Sequence, residues 1–171
     1  MDSEQLQALQ APLKAQYRNE PASALITLHA EGRLGSEAVA CSVQTGRAMV
    51  EAGLHPASGG EGTLACSGDM LLQALVACAG VTLRSVATNR NIPIEAGTVR
   101  AERDLDFRGT MGVDRDAPVG FSSIRLSFEL TTSATTEDLD ALLKATERYC
   151  VVYQTLVRPP VLSISRARST D

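Results

Sequence analysis

The chain has 171 residues, 44% of them hydrophobic and 21% charged, enough to bury one core and short for two. A net charge of −4 leaves no basic footprint of the kind a nucleic acid requires. Residues 1–20 are acidic and polar without an apolar stretch of signal-peptide length, and no window is read as a membrane span. The expectation is a cytoplasmic protein with neither nucleic acid nor membrane as partner.

Leu6, Leu9, Leu13 and Tyr17 recur at helical spacing, with Pro12 expected to kink or restart the helix and Pro21 to close it. Residues 1–21 therefore read as a helical lead-in and residues 22–171 as a single domain. From Ala24 the period changes to two: Ile26, Leu28 and Ala30 fall on one face, Thr27, His29 and Glu31 on the other. Gly32-Arg33-Leu34-Gly35 has the composition of a turn, and a return strand puts Val39, Cys41 and Val43 on a single face. A third short strand is read over 47–51, ahead of a loop at 55–60. Gly59 and Gly60 in that loop are no phosphate cradle, because the lysine and Ser/Thr of such a motif do not accompany them.

Ser67 then stands at an N-cap position with Asp69 in the first turn, where the helix dipole favours a carboxylate. The run from Met70 to Leu83 is apolar nearly all round, interrupted only by Gln73, Gly80 and Thr82. Such a helix needs cover on most sides, more than one sheet of so small a protein provides. A second copy of the chain is expected to supply it. Beyond Asn91-Ile92-Pro93 two strands are predicted, 98–107 and 122–132, the second with Ile124, Leu126, Phe128 and Leu130 inward; 109–120 between them is a polar loop. Thr135, with Asp138 three residues on, opens a second helix whose stripe runs Leu139, Leu142, Leu143, Thr146, Tyr149, Cys150 and Tyr153. Pro159-Pro160 ends that region, and 161–165 reads as a last strand. Strands separated by helices give an α+β class.

Four cysteines and two histidines, His29 and His55, lack the spacing of metal ligands, so neither metal nor other cofactor is expected. Cys41 packs beside Val39 and Val43, and Cys66, just ahead of the long helix, also reads as structural. Taken alone, Cys78 and Cys150 fit buried thiols equally well, since cysteine is among the most buried residue types. Asp69 is explained by capping, and Arg33 by a solvated turn.

Two segments alter that reading. Cys66-Ser67-Gly68-Asp69-Met70-Leu71-Leu72-Gln73-Ala74-Leu75-Val76-Ala77-Cys78 resembles the helix signature of the OsmC/Ohr family (osmotically inducible protein C and organic hydroperoxide resistance protein), usually a proline, an acid, leucines, small residues, then cysteine. Tyr149-Cys150-Val151-Val152-Tyr153-Gln154-Thr155-Leu156 is similar to the family's second cysteine motif, and the likeness spans roughly 24–165. Three features depart from the pattern: Cys66-Ser67-Gly68 where proline is common, Val151 where proline often follows the cysteine, and the added helix before Ala24.

The resemblance implies an OsmC-like α+β fold, antiparallel sheets wrapped around two long central helices in an intertwined homodimer. It also implies a thiol peroxidase acting on organic hydroperoxides in oxidative-stress defence. Cys78 would be oxidised to a sulfenic acid that Cys150 resolves as a disulfide, which protects the sulfur from over-oxidation. A dithiol reductant, a lipoylated protein or another thiol system, would reopen the bond. The family's arginine and carboxylate, which ionise the thiol, map onto Arg33 and Asp69, with Arg47 and Arg18 as rival cations and Glu61 as rival acid. Asp69 and Cys78 fall on opposite faces of one helix, ~13.5 Å apart along its axis at about 1.5 Å per residue. One site containing both must therefore cross a dimer interface. Tyr149 and Tyr153 read as packing that also lines a pocket for an apolar peroxide. Two other functions stay open: a non-catalytic member binding an apolar ligand, and a redox sensor using the same disulfide.

Overall fold

The structure, a computed structural model, describes residues 3–34, 41–43 and 52–166. Helix α1 (Ser3–Asn19) leads through a 3-10 turn at Pro21–Ala24 into β1 (Leu25–Leu34), beside which β2 (Cys41–Val43) returns. The short strands β3 (Ala52–Gly53) and β4 (Ala65–Cys66) pair parallel, and helix α2 (Ser67–Asn89) starts directly after β4. Then come β5 (Ala96–Asp106), α3 (Phe107–Thr110), β6 (Phe121–Thr131), α4 (Thr136–Tyr149) and α5 (Val151–Val157). The main sheet is antiparallel in the order β2-β1-β5-β6, with α2 lying across β1 and β5 and flanked by α4 and α5.

Period-two patterning explains how β5 sits. Val99, Ala101, Arg103 and Leu105 are buried, while Arg100, Glu102 and Asp104 point away and meet Glu129 and Arg125 of β6 in ion pairs. The register sets Val99 opposite Phe128, Ala101 opposite Leu126 and Arg103 opposite Ile124, so the inward sets of both strands line up. Onto this face α2 lays Leu72, Leu75, Val76, Ala79 and Leu83, all buried. Each fully buried leucine contributes about 1.5–3 kcal/mol. The opposite stripe of α2, with Met70, Leu71 and Val81 exposed, lacks cover among the described residues.

Several expectations are corrected. Helix α1 runs through Pro12 without ending; the carbonyl that loses its donor, four residues back at Ala8, sits at an exposed position where water can bond it. Strand β1 extends through Arg33, which pairs with Thr98 and Ser42, because the ladder with β5 holds Gly32 and Arg33 extended where composition suggested a turn. The small pair β3–β4 is parallel, where antiparallel pairing was expected. The cap of α2 is Cys66 rather than Ser67. Residues 161–166 form no strand and have no ladder partner among the described residues; Val161, Leu162 and Ile164 are open to solvent. By length and composition Ser67–Thr88 is apolar enough to cross a membrane, contrary to the sequence reading, although in this fold one side of it is the core. Val39 and the strand read at 47–51 lie outside the described residues.

Candidate active site: two thiols at a helix break

The second predicted helix is two helices. The chain leaves α-helical geometry at Cys150 (φ −70°, ψ 108°) and restarts as α5. In an unbroken helix the N–H groups of Val151, Val152 and Tyr153 would bond carbonyls four residues earlier. The break frees them. Cys150 Sγ accepts the Tyr153 N–H at 3.4 Å, and its own N–H bonds the Thr146 carbonyl at 2.9 Å. Cys150 is buried, and half-buried Cys78 of α2 packs against it, both as free thiols.

The surroundings make the two sulfurs unequal. Burial alone would push the Cys78 thiol up, but the Val152 N–H, the Cys150 thiol, the Val151 N–H and the Thr82 hydroxyl all favour its anion and hold it below its ordinary value. Cys150 is pushed up to about 11, first by burial and then by the neighbouring Cys78, with the Tyr153 N–H opposing. The two thiols are thus pushed in opposite directions, Cys78 toward its anion and Cys150 toward its protonated form.

A groove of about 750 Å³ opens between β6 and helices α2, α4 and α5, lined by Leu71, Leu75, Phe121, Ile124, Leu126, Phe128, Tyr153 and Leu156, with Ser122, Ser123 and Glu147 as polar lining; Leu75 shares a core cluster with Cys78 and Cys150, but neither thiol lines the groove. Tyr153 belongs to this wall. Tyr149 does not; it is exposed and lines a depression of about 530 Å³ with Val81, Thr82, Ser85, Val86 and Arg90.

Asp69 is placed elsewhere. Its carboxylate faces Arg103 of β5, with Arg103 Nη2 3.5 Å from Asp69 Oδ1 and 3.7 Å from Cys66 Sγ. The guanidinium is fully buried, packed against the backbone at Gly68 and over the Phe121 ring at 4.1 Å. Burial lowers its pKa, and Cys66 and Asp69 counter that. His55, stacked on Phe107 at 5.0 Å, is pushed below its ordinary value mainly by burial, with Asp69 opposing and Arg103 adding to the shift. The side chains of Arg33 and Arg47 lie outside the described residues, Arg18 is exposed at the end of α1, and Glu61 is exposed in a loop. Sequence reasoning missed Arg103. Its signal was parity: in Val99, Ala101, Arg103, Leu105 the arginine takes an inward position of an otherwise apolar strand face. Among the described residues no cluster of His, Cys, Asp and Glu could hold a metal ion.

The chain matches the family model for OsmC-like protein over residues 60–165. Among solved structures it is similar to an OsmC-like hydroperoxide resistance protein from Jannaschia sp. CCS1, at 16% identity and a TM-score of 0.59, covering 86% of this chain and 96% of that one. At that identity the likeness speaks for the fold. No curated protein matches the sequence. The matched region takes in both helices that carry the touching thiols and most of the sheet beneath them, more than half of the chain: it belongs to the OsmC-like protein family.

Proposed function

We propose that the protein is a cysteine-based peroxidase that reduces organic hydroperoxides, with Cys78 as the attacking thiol and Cys150 as the resolving one. Family membership supports a peroxide-related function. The observation that carries the finer reading is the contact of two thiols whose surroundings push them in opposite directions.

The Cys78 thiolate attacks the terminal peroxide oxygen, an S–O bond forms as the O–O bond breaks, and the alkoxide takes a proton from solvent and leaves as alcohol; sulfur is left as a sulfenic acid. That product is neutral. Cys150, whose proton was retained first by burial and then by an anionic neighbour, loses the second of these restraints and ionises more readily. Its thiolate attacks the Cys78 sulfur, water departs, and a disulfide forms. A dithiol reductant, such as a lipoylated protein or another thiol system, then restores both thiols. Backbone N–H groups of Val151 and Val152 stabilise the Cys78 anion, a task that the family resemblance gives to an arginine and a carboxylate; the side chain of Arg33 lies outside the described residues. The apolar groove suits a substrate with a hydrocarbon tail. A second copy of the chain, covering the Met70, Leu71 and Val81 stripe, completes the reading as a cytoplasmic homodimer.

The groove taken by itself favours a second reading, a binding protein for an apolar ligand. Mass spectrometry of the reduced protein after one equivalent of cumene hydroperoxide separates the two. The peroxidase loses two hydrogens through a Cys78–Cys150 disulfide, and Cys150→Ser accumulates a sulfenic acid on Cys78. An unchanged mass sinks the peroxidase reading, and oxidation without turnover by any dithiol leaves a sensor.

A further inference from the structure

We propose that Cys66 is a second redox-active thiol, oxidised by a hydroperoxide to a sulfenate held by the buried guanidinium of Arg103, at the start of α2 and apart from the Cys78–Cys150 pair. Every other inward residue of β5 from Val99 to Leu105 is aliphatic, so an arginine there gives up good packing for a charge. That charge is poorly answered. Nη2 alone has partners, Asp69 Oδ1 at 3.5 Å and Cys66 Sγ at 3.7 Å, while buried Nε and Nη1 have none among the described residues. A buried guanidinium with two unpartnered nitrogens is costly, and calls for another anionic acceptor.

Cys66 is placed to become that acceptor. It caps α2 but makes no side-chain cap bond, so its sulfur is left to the guanidinium, and it is only half-buried, which admits a small oxidant. Gly68 keeps the approach open: a Cβ there would come within 2.3 Å of Arg103 Nη2. In the reaction the Cys66 thiolate attacks the terminal oxygen of the hydroperoxide, an S–O bond forms as the O–O bond breaks, and two electrons pass from sulfur to peroxide. The alkoxide takes the proton of the transferred hydroxyl and leaves as alcohol. The sulfenate oxygen is a stronger acceptor than thiol sulfur and extends toward the unpartnered donors. Cys78, twelve residues on along α2, lies ~18 Å away along the helix axis and Cys150 packs against Cys78, so neither resolves Cys66 within the chain. The sulfenate takes up a proton from solvent and condenses with an external thiol, releasing water, and a second thiol reduces the mixed disulfide.

The test uses full-length protein with Cys41, Cys78 and Cys150 each changed to serine, treated with cumene hydroperoxide and trapped with dimedone. A dimedone adduct is expected on Cys66, forming at least about tenfold faster than on a synthetic peptide of residues 61–72. Arg103→Met should remove most of that advantage and Arg103→Lys restore part of it, with circular dichroism confirming that both variants are folded. No adduct on Cys66, or a rate equal to that of the peptide, overturns the proposal without needing any Arg103 variant. So does an Arg103→Met rate equal to that with Arg103. The wild-type disulfide test above reads Cys78 independently, so failure of one leaves the other standing.

Discussion

Helix α2 carries two thiols in opposite settings. Cys78, midway along, is favoured as an anion by neutral donors: backbone N–H groups released by the break at Cys150, a hydroxyl and a second thiol. Cys66, at the cap, faces a full positive charge buried on the sheet. Dipoles of a broken helix favour an anion and bring a second sulfur against it in the same step, because the residue that breaks the helix is Cys150 itself. A guanidinium offers stronger attraction but brings no second thiol.

The largest effect should separate the two thiols. Cys78→Ser is expected to lower hydroperoxide turnover by more than ~10³-fold, as loss of a nucleophile does. Cys66→Ser should leave steady-state peroxide consumption within about twofold. Equal losses from both substitutions would erase the distinction drawn between them.

Next in size is the core around Cys78. Leu75 is buried in the cluster that Cys78 packs against, and Leu75→Ala should cost about 2–5 kcal/mol in urea denaturation. The charged end responds differently. Asp69→Asn strips Arg103 of its carboxylate and should destabilise by about 1–2 kcal/mol, the side chain being partly exposed and the contact long. Arg103→Met, which keeps a stem against Phe121 and discards an under-satisfied cation, should be neutral or stabilising. Destabilisation by Arg103→Met greater than by Asp69→Asn would make the arginine a structural residue.

Much of this was legible in the sequence, for reasons that differ from place to place. Ile124, Leu126, Phe128 and Leu130 alternate because β6 packs one face on the core, so period two marks both the strand and its inward set. The uncovered stripe of α2 follows from an apolar surface wider than one sheet can bury. The break at Cys150 was not legible: Leu139 to Tyr153 keeps a helical period straight through it, and only tertiary contacts with Cys78 reveal where the backbone turns. Arg33 entered through the family likeness; β5 holds its backbone in a strand where composition suggested a turn, and its side chain lies outside the described residues. Arg103 was passed over among neighbouring charges, although parity sets it apart from Arg100, Glu102 and Asp104.

The smallest effect expected is also the most direct probe of the neutral-donor setting. Cys78 titrates below the ordinary thiol value of 9.0, so its alkylation rate should reach half its plateau below pH 9, whereas Cys150 should not titrate until about 11. The signs for stability follow. Ionisation of Cys78 favours the fold, a contribution fully present above 9.0 and lost as the pH falls from there through the folded value. Cys150 resists ionisation when folded, so stability drops as the pH rises from 9.0 through about 11. Val151→Pro removes one of the N–H groups that bond Cys78, at the first helical position of α5, where proline is tolerated, and at an exposed side chain. The Cys78 midpoint should then move upward, with the melting temperature nearly unchanged, since the Val152 N–H remains. A midpoint that does not move would mean that the Val151 N–H contributes nothing, and that the broken helix acts on Cys78 through Val152 and Cys150 alone.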